Sequence, residues 1–155
     1  MTQERTLRGV AAVGHLAELP PVEAAAVLYF RLWHDGPAAQ AQVIADFTMA
    51  LGPHAGREAT QALDQICELC ARLGRRPLMR HHLCCKCLGA DEACFAQFIA
   101  AASDGDREDA VLIATLLVRA DMAPSLASLA EFWGLSIKRL SGRSYDRPMA
   151  SPLYH

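Results

Sequence analysis

The sequence predicts an all-α fold: a single-domain bundle of about eight or nine helices, with a short Cys/His-rich loop and an extended C-terminal tail. Three observations predict it. Alanine, the strongest helix former, occurs 28 times, and arginine, which ranks close behind, occurs 13 times. No segment alternates polar and apolar residues over the length of a strand. Glycine and proline fall between stretches of helical spacing, where they act as stops and starts. With 155 residues, 52% hydrophobic and 21% charged, the chain has the size and composition of one globular domain. That composition excludes intrinsic disorder and collagen-like repeats.

The elements follow in order. Leu7, Val10, Ala11, Gly14 and Leu19 form the stripe of a first helix that stops at Pro20-Pro21. Pro21 opens a second helix over 22–33, where a missing N–H costs nothing. This helix is apolar nearly all round, through Leu28, Tyr29, Phe30, Leu32 and Trp33, and is therefore expected at the centre. His34-Asp35-Gly36-Pro37 ends it, with the His34 charge explained by the helix C-terminus. A third helix over 38–51 carries Val43, Ile44, Phe47 and Leu51, and Gly52-Pro53 closes it. The fourth, over 57–73, turns Ala59, Ala62, Leu63, Ile66, Cys70 and Leu73 inward.

Pro77 starts a short fifth helix to about His82, and residues 84–89 read as a tight loop. Asp91 caps a sixth helix carrying Phe95, Phe98, Ile99 and Ala102. Asp106 caps a seventh with its apolar body at 111–118, and Pro124 opens an eighth through Phe132. Gly134 then turns the chain and Ser136 caps a short ninth. The domain is read as residues 1–141, followed by a frayed or extended tail over 142–155.

Six cysteines, at 67, 70, 84, 85, 87 and 94, fall within 28 positions. No apolar run approaches the ~20 residues that span a bilayer, and the start carries an acid and no apolar leader-like stretch. A cytoplasmic chain with no membrane partner is the expectation. There, reduced thiols point to metal binding or thiol chemistry more than to a disulfide framework. Cys67 and Cys70 make one Cys-x2-Cys pair and Cys84 and Cys87 another, 13 residues apart, a spacing that suits tetrahedral zinc. Cys67 and Cys70 also fall on an apolar stripe, where cysteine serves equally as a small core residue. His81 or His82 with Cys84, Cys87 and Cys94 would form a site without the earlier pair. Five basic residues between Arg72 and Lys86, with no acid among them, favour thiolates nearby and offer a surface to a protein partner or a second copy. The stretch from Asp91 to Asp121 holds seven acids and two arginines, which leads us to expect that these charged faces meet within the fold or between subunits.

Residues 126–143 resemble a DNA-binding helix-turn-helix. Ala130 lies four before the turn glycine Gly134, and Leu129, Leu135 and Leu140 occupy the inward positions. The resemblance implies that Lys138, Arg139 and Arg143 face phosphates and base edges. It covers 18 residues, and Gly142 leaves the second helix only about two turns. No phosphate-binding glycine loop, GxSxG, HExxH or recognisable carboxylate pair occurs. Ala and Arg usage suits a GC-rich bacterial genome. Three functions remain: a non-enzymatic bacterial regulatory or adaptor protein binding zinc or sensing redox state through 81–94, a DNA-binding regulator using 126–143, and an interaction module whose cysteines only pack.

Overall fold

The computed structural model of the protein describes residues 8–145, with side chains to residue 142. Among these residues the chain is mostly helical. Three helices begin on proline: α1 (Pro21–Trp33), α2 (Pro37–Leu51) and α3 (Pro53–Leu73). At two of the joints a glycine does what other residues do poorly. Gly36 and Gly52 adopt φ of +102° and +91°, so each places left-handed backbone directly before the next helix's proline. α4 (Ala90–Ser103), α5 (Arg107–Leu117) and α6 (Ala123–Tyr145) follow. Single 3-10 turns lie at Leu16–Glu18 and Ala120–Met122. No described helix is long and apolar enough to cross a membrane.

α6 packs against α1, α2, α3, α4 and α5 and supplies the buried Leu126, Ala130, Trp133 and Ile137. A ladder of rings crosses the centre, with Phe30 of α1 4.7 Å from Phe95 of α4, and Phe95 6.1 Å from Trp133. Offset ring pairs at these separations add to the area they bury. The inward stripes expected for α2 and α3 are largely found: Val43, Phe47 and Leu51 are buried, as are Ala59, Leu63, Ile66 and Cys70. Ile44 is exposed.

Four expectations are corrected. The first predicted helix gives way over Ala12–His15 to strand β1, which pairs antiparallel with β2 (Cys87–Gly89). Ala12, Val13 and His15 are exposed, so a helical stripe there would have had no core to meet. β2 in turn replaces the end of the predicted loop. Residues 77–82 form no helix, because their polar groups go elsewhere: the Met79 N–H donates to Asp91 at 2.7 Å and His81 bonds the Val10 carbonyl. The eighth and ninth helices are one, since α6 runs unbroken through Gly134 and past residue 142, where the domain was expected to end. The expected tail otherwise lies outside the described residues.

Gly134 is therefore a packing residue and not a turn. A Cβ placed there would sit 2.7 Å from the Ser103 Cβ and 3.2 Å from the Ile99 carbonyl oxygen, so the missing side chain sets how closely α6 approaches α4. Helix propensity alone would make Gly134→Ala stabilising by about 1 kcal/mol. Overpacking is expected to reverse the sign and cost about 1–2 kcal/mol net in denaturant unfolding. A neutral or stabilised variant would restore the turn reading.

Candidate functional site

α1 is apolar on nearly every side, yet it carries Arg31, which is 1% exposed. A buried guanidinium must be paired and its donors satisfied. Nε and Nη2 bond the Glu92 carboxylate of α4 at 2.5 and 2.8 Å. Nη1 donates to the carbonyls of His82 at 3.2 Å and Cys85 at 2.7 Å. The second Nη2 proton goes to the Cys87 carbonyl at 2.8 Å. All five guanidinium protons thus have acceptors, and three of those acceptors are backbone carbonyls of the cysteine loop. Glu92 also accepts the Gly89 N–H at 3.0 Å. The loop has no regular structure before β2, and Arg31 takes the place of a ladder. Its pKa is held up first by the Glu92 hydrogen bond, against desolvation, and further by attraction to Cys85 and Cys87.

The neighbouring carboxylate does similar work on the other flank. Asp91 is buried, pairs with both terminal nitrogens of Arg76, and accepts the Met79 N–H. The sequence placed Asp91 as a cap, whereas α4 begins at Ala90 and Asp91 lies inside its first turn. Gly9 lies against this pair, and a Cβ there would meet the Asp91 carboxylate at 2.2 Å. The basic and acidic stretches do meet at Arg76 and Asp91. The other arginines have other partners, Arg72 bonding Glu68, Arg75 the Thr115 carbonyl and Arg80 the His34 carbonyl.

Over this loop lies the segment 8–19. The Leu16 N–H donates to the Lys86 carbonyl and the Ala90 N–H to the Ala11 carbonyl, both at 2.9 Å. His15, Gly14 and Ala12 pair with Cys87, Leu88 and Gly89. His81 Nε2 lies 2.8 Å from the Val10 carbonyl, which can only accept, so Nε2 carries the proton. In the neutral ring Nδ1 is then the acceptor, and it stands 3.6 Å from Cys85 Sγ. Cys85 is half-buried, while Cys84 beside it is exposed and Cys87 in β2 is half-buried.

The expected zinc ligands do not gather into one group among the described residues. Cys67 and Cys70 are buried on the inner face of α3. Burial pushes the Cys67 thiol well above its ordinary value and Cys70 to about 12, so both serve as core. Cys94 is half-buried beside the Arg76–Asp91 pair, its thiol pushed up by burial and then by Asp91. Cys84 faces solvent, Cys87 lies in β2, and His81 is turned to Val10 and Cys85. Among the described residues, no three His, Cys, Asp or Glu side chains gather in a way that could hold a metal ion. The helix-turn-helix geometry is absent as well. Lys138 is drawn back to the Ser103 carbonyl at 3.1 Å and to Asp104 at 2.6 Å. Arg139 is exposed on the continuous helix, and the Arg143 side chain lies outside the described residues. His34, expected as a charged helix terminus, packs at a tilt against Phe30 with its pKa lowered by burial, which favours the neutral ring.

No family model, curated protein or solved structure matches this chain. The site is therefore read from its own geometry. Sequence reasoning missed Arg31 and Glu92, although a charge set in a helix apolar all round was the signal. Replacing Arg31 by Met should cost about 3–5 kcal/mol in denaturant unfolding, because Glu92 is left buried and unpaired. The double change Arg31→Met with Glu92→Met should recover part of that loss. It should still leave amide exchange accelerated across 81–91, where three carbonyls have lost their donor. Cys67 and Cys70 should stay unmodified by iodoacetamide in the native protein at pH 8, and label only on unfolding. Their labelling at the rate of Cys84 would contradict the core assignment.

Proposed function

We propose that this chain is a non-enzymatic regulatory or adaptor protein that responds to redox state through the thiols of segment 81–94. The observation that carries the reading is how the N-terminal segment is held. β1 is mostly exposed, and the hydrogen bonds that fasten residues 10–16 run to residues 81–90, around Cys85 and Cys87. Little apolar area helps, since only Val10, Leu16 and Leu19 of this stretch are even half-buried among its larger apolar residues. Segments held this way sit at the low end of local stability.

The loop thiols therefore control a detachable element. A disulfide within Cys84, Cys85 and Cys87 would bring two Cβ atoms to about 3.8 Å and redirect the backbone around them. Cys87 pairs with His15 in the sheet, and Cys85 touches the histidine that holds Val10. Closing such a bond pulls on both attachments, while the helical core below stays anchored by α6. The freed segment and the uncovered β2 edge are what a protein partner or a second copy would read.

Amide exchange of the reduced and diamide-oxidised protein tests this. Oxidation should speed exchange of the Leu16 and Ala90 amides by about tenfold or more, with the α6 core amides unchanged. Equal protection in both states, or loss of protection throughout the core, would contradict the reading.

A further inference from the structure

The thiol loop holds one pair of groups arranged for a specific reaction. His81 is fixed from both sides: its Nε2–H donates to the Val10 carbonyl at 2.8 Å, and its Nδ1 faces Cys85 Sγ at 3.6 Å. A β-turn in which the Cys85 N–H donates to the His82 carbonyl at 2.9 Å places the sulfur. Arg31 holds that turn in place through the carbonyls of residues 82 and 85. A backbone acceptor orients the imidazole, and the imidazole faces the thiol, so nucleophile, base and orienting group stand in series. Gly89 belongs to the same arrangement, because a Cβ there would lie 2.8 Å from the His81 ring. Along the chain, His81 and its neighbours Arg80, His82 and Leu83 line a cleft of about 380 Å³ that reaches Arg31 and Asp35.

Resting on the redox reading above, we propose that Cys85 and His81 form a peroxide-reactive pair in which hydrogen peroxide oxidises Cys85 before any other thiol of the chain. Cys85 passes its proton to His81 Nδ1. The thiolate sulfur attacks one peroxide oxygen and the O–O bond breaks. That oxygen and its hydrogen remain on sulfur as a sulfenic acid. The departing hydroxide takes the proton back from His81 and leaves as water. Sulfur loses two electrons and the peroxide gains them. Partial burial of Cys85 admits a small oxidant more readily than a bulky disulfide, whereas exposed Cys84 has no such filter.

Exposure and pairing predict opposite orders of reaction, and this makes the test sharp. Reduced full-length protein is treated with substoichiometric hydrogen peroxide in the presence of dimedone, which traps sulfenic acids, and the labelled cysteines are mapped by mass spectrometry. Cys85 should label at least about tenfold faster than Cys84. His81→Gln keeps an amide donor for Val10 and removes the base. It should slow Cys85 labelling by about tenfold or more, in line with the loss of a positioned proton acceptor, and leave Cys84 unchanged. Cys84 labelling first, in step with its exposure, would overturn the proposal, as would an unchanged Cys85 rate in a folded His81→Gln protein. Should that variant fail to fold, the order of labelling in the unaltered chain decides alone. Labelling at Cys85 without any loosening of residues 10–16 would sink the regulatory reading and leave this pair standing. Loosening with Cys84 reacting first would do the reverse.

Discussion

One guanidinium sets the geometry of everything at this end of the molecule. Arg31 sits on α1, 1% exposed, and gives its five protons to one carboxylate and three carbonyls. Lysine could not replace it, because an ammonium offers three donors and no planar fork. The charge itself is no source of stability, since an apolar pair of similar volume often does as well. What the pair supplies is a fixed path for residues 82–87, a stretch too short to bury a core of its own. The thiols of Cys85 and Cys87 are positioned as a consequence.

The first turn of α4 organises the loop from both sides. Asp91 and Glu92 are adjacent acids at a helix N-terminus, where the helix dipole favours them, and each is buried against an arginine from a different element. Glu92 faces α1 and ties down the loop through Arg31. Asp91 takes Arg76 and the Met79 N–H, and Gly9 lets the N-terminal segment lie across that pair. The loop is thus rigid at its base, and the segment over it is fastened by hydrogen bonds with little buried area. A rigid thiol loop beneath a cover fastened mainly by hydrogen bonds is the arrangement on which the proposed redox reading rests.

Much of the helical framework was legible because the signals were local. Gly36-Pro37 and Gly52-Pro53 mark helix ends through their own backbone geometry, whatever surrounds them. The stripes of α2 and α3 follow from spacing in the same way. Three features depended on residues far away in sequence and were not legible. β1 is four residues with no alternating pattern, and it exists because Cys87–Gly89 presents an edge more than 70 positions later. Gly134 looks the same in a turn as in a close helix contact until Ser103 is placed against it. The cysteine spacing that suits zinc was real in the sequence. However, the 21-residue helix α3 carries Cys67 and Cys70 into the core, and no three of the expected ligands gather among the described residues. Arg31 was half-legible: its helix had to be buried all round, so its charge needed a partner, but nothing local named Glu92, 61 residues on.

The central claim is that Arg31 is held rigid with every guanidinium proton bonded, and nitrogen-15 NMR of arginine-labelled protein tests it directly. Arg31 should show separate, slowly exchanging Nη–H signals at neutral pH, because rotation about its terminal C–N bonds is blocked by acceptors on both sides. Arg31→Lys should abolish those signals and no others of that kind. Thirteen rapidly averaging guanidinium groups would show that the clamp does not exist in solution, and the placement of the thiol loop would fall with it.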